Sequence, residues 1–277
     1  MTEQTAAYGR SIADRLAHRL TLNVPGRGSN KALQEVVDRV NEDDELYAYW
    51  IAANVNAVER LGMTDHGPVH VKIVMNIADK LFRTLTDQGV QPGVVTNYDM
   101  TLDEAEVVVV VAALLHDIGM SIHRLDHEAF SLFIAQHKVR QLLEGLYDRA
   151  TATILRSEIL HAIIAHRSGG KPLTLEAGIV RVADALDMAK GRSRIPFAGG
   201  SMSIHSISAA AIEAVHIERG DAKPVRLRIE LSNSAGIFQL DQLFREKLAG
   251  SGLEQHIELE ADLVGEAEKR LVQSFRI

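Results

Sequence analysis

The chain has 277 residues, 46% of them hydrophobic and 24% charged, ordinary globular proportions that exclude a disordered, collagen-like or low-complexity scaffold. Its formal net charge is −7, from 30 Lys+Arg against 37 Asp+Glu, so there is no global basic field and no extended nucleic acid is expected as a partner. With no cysteine, disulfides, Cys-type zinc sites and thiol nucleophiles are excluded, and any metal must sit on His, Asp and Glu.

The start, MTEQTAAYGRS, lacks the basic and apolar stretches of a secretory signal. The longest apolar run, Val107 to Leu115, is about half the length that crosses a bilayer. A soluble, cytoplasmic protein without membrane contact is therefore expected. By length, one large domain plus a small appendage fits as well as two equal ones.

Up to about residue 190 the periodicity is helical. Between residues 30 and 61, Leu33, Val36, Val37, Val40, Trp50, Ile51, Val55, Val58 and Leu61 recur at spacings of three and four. Ser29 stands as an N-cap and Gly62 just past the end, with two helices or one broken near Asp43-Asp44. Pro68 opens the next helix, which carries His70, Val74, Ile77, Ala78 and Leu81. Thr86 to Asn97, with Gly89, Pro92 and Gly93, reads as a polar linker. The five valines from Val107 suggest a strand by propensity, but Thr101 and Glu104 have the spacing of a capping box, which predicts a buried helix over 102–118 ending near Gly119. His116 and Asp117 then fall in its last turn. Asp126 is expected to cap a helix from His127 towards Tyr147, another helix covers 151–166, and a Gly-Gly-Lys-Pro turn follows at 169–172. Thr174 caps a helix from Leu175 to Lys190, closed by Gly191.

Beyond Pro196 the pattern changes. Val215 and Ile217 precede a turn at Gly220-Asp221, and Val225, Leu227, Ile229 and Leu231 alternate with charged residues, which predicts a hairpin. Ile237, Leu240, Leu243, Phe244 and Leu248 return to helical spacing. Ile257, Leu259, Ala261 and Leu263 alternate again, and the last dozen residues are expected to be helical. The chain thus reads as mainly α, a helical domain over 1–196 followed by a small α+β domain over 197–277. Three roles stand open for the second unit: closing the active site, mediating dimerisation or recognising substrate.

Eight of the twelve histidines lie between residues 66 and 166. His70 at one helix start, His116-Asp117 at another helix end and Asp184 within a third place nitrogen and oxygen ligands on or beside apolar faces, where an unpaired charge is costly. A salt bridge from Asp184 to the nearby Arg181 or Lys190 is one compensation. A divalent ion held by two imidazoles and two carboxylates explains more, because it neutralises both aspartates at once.

These residues, His70 with Val74 and Ala78, then His116-Asp117-Ile118-Gly119, then Val182-Ala183-Asp184-Ala185-Leu186-Asp187, resemble the His…His-Asp…Asp signature of the HD-domain superfamily of metal-dependent phosphohydrolases, over roughly residues 60–195. The resemblance implies an all-α core in which His70, His116, Asp117 and Asp184 bind a divalent metal, and in which metal-activated water attacks phosphorus. Asp117 is placed to hold that water and to bridge a second ion. His66, kept out of the helix by Gly67-Pro68, is similar to the histidine that cyclic-nucleotide phosphodiesterases of this superfamily use as general acid. His127 and His166 look like the additional histidines of binuclear members. Asp187 is either a support for a ligand or an alternative ligand. His161 points about 140° away from His166 on a regular helix, so the two do not share an ion. His123 could face the site, and His137 is expected to be solvated.

Phosphate also needs cations, and Arg124, Arg167, Lys171, Lys190, Arg192 and Arg194 all follow the metal-bearing elements. Gly26-Arg27-Gly28-Ser29-Asn30-Lys31 matches no complete phosphate-loop pattern and is discounted. The leading expectation is hydrolysis of a phosphate mono- or diester of a small molecule, a nucleotide by class, with one or two ions. Mn, Fe, Co, Ni, Zn and Mg are not distinguished by these ligand types, and manganese heads the ions to try. A binuclear iron oxygenase cleaving C–C or C–P bonds and a non-catalytic nucleotide-sensing module are the alternatives. Homo-oligomerisation is left open.

Overall fold

The computed structural model describes residues 11–25, 29–188, 211–264 and 274–276. The helical part comprises α1 (Ile12–Ala17), α2 (Lys31–Glu42), α3 (Asp44–Asn54, continued by a wide π turn at Val55–Arg60), α4 (Pro68–Asp87), α5 (Gly93–Tyr98), α6 (Leu102–Leu115), a 3-10 turn at Ile118–Ser121, α7 (His127–Leu142), α8 (Arg149–Ala165) and α9 (Leu175–Leu186). Strands β1 (Ile212–Arg219) and β2 (Val225–Leu231) follow. Three consecutive helical pieces, Gly236–Phe238, Gln239–Phe244 and Arg245–Leu248, together form α10, and β3 (Ile257–Leu263) and β4 (Ser274–Arg276) complete the chain.

α6 is the axle of the fold. All of its residues from Ala105 to Leu115 are buried, the burial expected of a helix that is apolar on every side. The five valines are helical because the Thr101–Glu104 capping box forms in full and neighbouring helices surround them; α4, α8 and α9 all pack on this helix. Two further starts behave as read: Pro68 occupies the first turn of α4, and the Thr174 side chain accepts from the Ala177 amide. The Asp43 break separates α2 from α3, its side chain capping the latter.

Several boundaries differ from the sequence reading. Asn30, not Ser29, caps α2, accepting from the Leu33 amide at 3.0 Å. The stretch read as a linker, 86–97, begins within the last turn of α4 and holds most of α5, which forms because the buried Glu176 of α9 reaches across to accept from the Gly93 and Val94 amides, both at 2.9 Å. Asp126 precedes α7 with φ of 59° and makes no side-chain cap bond, and α7 stops at Leu142 rather than near Tyr147. α8 starts earlier than expected, capped by Asp148. α9 ends at Leu186, with Asp187 as its C-cap, rather than at Lys190. The described part of the last dozen residues is a strand, not a helix.

The sheet has the order β1-β2-β3-β4. β1 and β2 form the expected antiparallel hairpin, β2 and β3 run parallel with α10 in the crossover, and β4 returns antiparallel to β3. Val225, Leu227, Ile229 and Leu231 are buried and alternate with half-buried charged residues, as in a sheet covered on one face. These apolar side chains join the same buried cluster as α4, α6 and α9. α9 also touches α10, and a Cβ on Gly178 of α9 would meet the Ser251 carbonyl at 2.2 Å, so the backbone following α10 lies directly on that helix.

Candidate metal centre

α6 stops just before the His-Asp pair. The Ser131 hydroxyl of α7 donates to the His116 carbonyl and accepts from the Gly119 amide, both at 2.8 Å. Those bonds occupy groups that would otherwise continue the helix, and a 3-10 turn begins. Gly119 is required by contact: a Cβ there would lie 2.0 Å from the His127 carbonyl. The HDIG segment and the start of α7 are thereby pressed together, so His116 and Asp117 sit beyond the last turn of α6 rather than within it.

Asp117 is the hub. Its Oδ2 lies 3.4 Å from His70 Nε2, 3.6 Å from His116 Nε2 and 3.9 Å from His66 Nε2. Its other oxygen, Oδ1, lies 3.0 Å from His127 Nε2 and 3.5 Å from His166 Nε2. Asp184 Oδ1 is 3.7 Å from both His70 Nε2 and His116 Nε2. Two triads, His70–His116–Asp117 and Asp117–His127–His166, each bring ligand atoms within 4.8 Å of one another, and Asp117 belongs to both. α4, α6, α7, α8 and α9 each supply at least one group or the residue next to their end.

The chemistry of the donor set fits metal ions. His116 Nδ1 lies 2.8 Å from the Ala113 carbonyl, and His166 Nδ1 lies 2.6 Å from that of Ile163. His70 Nδ1 is 2.6 Å from Asp187 Oδ2. Because a carbonyl or carboxylate only accepts, each of these Nδ1 atoms donates, and the neutral ring turns a bare Nε2 lone pair inward. His70 and His116 then face each other through Nε2 atoms 3.2 Å apart, lone pair against lone pair, beside two carboxylates. Such a cluster of acceptors is stable only around cations. Asp187 thus holds the His70 ring from behind, the contact expected of a support.

When protonated, the same rings instead serve the carboxylates as donors and counter-charges. Burial alone would push the Asp117 carboxyl up, but the rings of His116, His127, His166 and His70 hold it well below the usual range. Asp184 is likewise pushed up by burial and held well below by the Lys247 ammonium and His116. Burial lowers His166 and His66, while for His127 the Asp117 carboxylate outweighs burial and raises it.

His66 stands at the rim, its Nδ1 2.8 Å from the Thr64 carbonyl. His123 is exposed, its Nδ1 accepting from the Leu125 amide, and His161 accepts from the Leu173 amide; neither joins the cluster, and His137 is exposed as expected. Arg124 is exposed, with its guanidinium 2.8 Å from His127 Nδ1. Arg167 and Lys171 are exposed on the segment after His166 and form no ion pair with the cluster. Lys190, Arg192 and Arg194 lie outside the described residues. Arg181 does not pair with Asp184: its guanidinium donates to the carbonyls of Arg167, Gly170, Glu246 and Lys247. Among the described residues, the lysine or arginine paired with Asp184 is Lys247 of α10, which sequence reasoning missed.

The HD-domain family profile matches residues 67–189, which hold every member of both triads. An uncharacterized protein of Methanocaldococcus jannaschii is 38% identical over 242 residues, spanning 87% of this chain and 93% of its own. The chain belongs to the HD-domain family. HD domains are generally metal-dependent hydrolases, and the helical architecture and the two His/Asp triads that could hold metal agree with that class. Ribonuclease Y of Syntrophotalea carbinolica is 28% identical over 176 residues, and that of Geotalea uraniireducens 30% identical over 181. These matches span 60% and 61% of this chain but only 28% and 30% of the ribonucleases. Among the described residues, no helix of this HD protein is long and apolar enough to cross a membrane.

Proposed function

We propose that this HD protein hydrolyses a phosphodiester of a nucleotide, using two divalent ions held by His70, His116, Asp117 and Asp184 on one side and by Asp117, His127 and His166 on the other. The observation that carries the reading is Asp117, whose two oxygens face separate histidine pairs. Bound divalent ions supply a nucleophile at neutral pH, by lowering the pKa of water, and offset charge on phosphoryl oxygens. The chain's own residues orient this chemistry. Asp117 and Asp184 carry the negative charge that attracts the ions, the carbonyls of Ala113 and Ile163 fix the ring tautomers, and burial excludes bulk water.

His66 supports a diester over a monoester. With Nδ1 held by the Thr64 carbonyl, Nε2 faces Asp117; burial lowers the ring's pKa, so its protonated form is the minor one, and in that form Nε2 would carry the proton that a leaving oxygen receives. The likeness to Ribonuclease Y agrees with a ribonucleotide substrate, and the net charge of −7 favours a short one. Release of product from model phosphomonoesters and phosphodiesters, with Mn, Co, Ni, Mg or Fe(II) added, tests the proposal. Metal-dependent release, faster on diesters and about 10³-fold lower in Asp117→Ala, is expected. No turnover by folded wild type with any of the ions overturns it, and oxygen uptake with Fe(II) would then mark an oxygenase.

A further inference from the structure

Among the described residues, a lysine of the C-terminal unit stands beside the candidate metal centre. Lys247 Nζ donates to the His166 carbonyl at 2.8 Å and lies 3.3 Å from Asp184 Oδ2, the oxygen turned away from His70 and His116. Among the described residues it is the lysine or arginine in ion-pair contact with Asp117 or Asp184. Its placement is built rather than incidental. The Arg181 side chain, 2% exposed, donates Nε to the Lys247 carbonyl at 2.8 Å and Nη2 to the Glu246 carbonyl at 3.0 Å. Its Nη1 donates to the carbonyls of Arg167 and Gly170. One buried guanidinium therefore ties the Lys247 backbone to the loop that follows His166. An ammonium has three N–H donors. Two face Asp184 and His166, and the side chain keeps 23% exposure, which leaves one donor for a group arriving at the centre.

We propose that Lys247 contacts a non-reacting phosphoryl oxygen of the substrate, so that the C-terminal α+β unit completes the active site of the helical core. This rests on the phosphohydrolase reading and assigns that site a residue outside the HD segment. The test uses calorimetric titration of the full chain with Mn²⁺ alone, then of the Mn²⁺-loaded protein with inorganic phosphate. In Lys247→Met, phosphate affinity falls about tenfold or more, the usual worth of a charge-assisted hydrogen bond. Mn²⁺ affinity stays equal or rises, because a positive charge beside a metal-binding carboxylate has been removed. Lys247→Arg recovers part of the phosphate binding. If Lys247→Met does not fold, Lys247→Gln, which keeps an amide donor for the two protein acceptors, carries the same test. Unchanged phosphate affinity overturns the proposal, as does a loss of Mn²⁺ affinity matching the loss for phosphate, which would mean that Lys247 only props Asp184. A wild type that binds Mn²⁺ but neither binds phosphate nor hydrolyses esters refutes the phosphohydrolase reading instead.

Discussion

Around Asp117, one side chain does the work of two because each carboxylate oxygen meets its own pair of imidazoles. The rings are held from behind by acceptors, so their inward-facing Nε2 nitrogens are fixed without any ligand. His66 differs: its ring is at the rim, and the role proposed for it is proton donation. His66→Gln should leave KM nearly unchanged and lower kcat by about 10²-fold or more on a diester with an alkyl leaving group. On a p-nitrophenyl ester, whose leaving group departs without a proton, kcat should barely move. Steady-state kinetics on the two esters reads this directly, and an equal loss on both would show that His66 acts elsewhere.

Between α2, α4 and α6 lies a second buried ionisable group. Glu106 Oε2 accepts from Asn30 at 2.8 Å, and its Oε1 is 2.5 Å from Arg83, which also binds Asp79. Burial pushes Glu106 from an ordinary 4.5 to about 7, with the neighbouring Asp79 adding to the rise against Asn30 and Arg83. A raised carboxyl binds a proton more tightly when folded than unfolded, so its contribution favours the folded state at low pH and is lost as pH climbs from 4.5 through about 7. Thermal denaturation across that window should show Glu106→Gln losing this fall, with its advantage over wild type largest above pH 7; parallel curves would refute it.

The four-residue signature and most helix starts were legible because caps and ligands are local: Thr101 with Glu104, Pro68 and Thr174 each act within one turn. What stayed hidden depends on distant partners. α5 exists in a polar stretch because Glu176 caps it from more than 80 residues away, and α6 ends at the His-Asp pair because Ser131 takes its last groups. Lys247 was hidden for the same reason, standing 63 residues beyond Asp184 on a helix whose periodicity only reported its apolar side.

At the scale of the molecule, shared apolar packing, the Arg181 guanidinium and the Lys247 ammonium couple the helical core to the sheet unit. Ile212, Val225, Leu227 and Ile229 enter the same buried cluster as α6, while Arg181 and Gly178 of α9 hold α10 and the residues after it at the edge of the centre. That arrangement places a domain-sized appendage where it can shape a site built by other helices. The same centre should also stabilise the fold: ions that bind only the native chain raise its melting temperature with the logarithm of their concentration over Kd. The decisive measurement is a count of Mn²⁺ per chain after equilibrium dialysis, for wild type and Asp117→Asn. Two ions per wild-type chain and no more than one in the variant are expected, since a neutral amide cannot bridge two cations. A wild type that binds none, or a variant that still binds two, would refute a centre organised around Asp117.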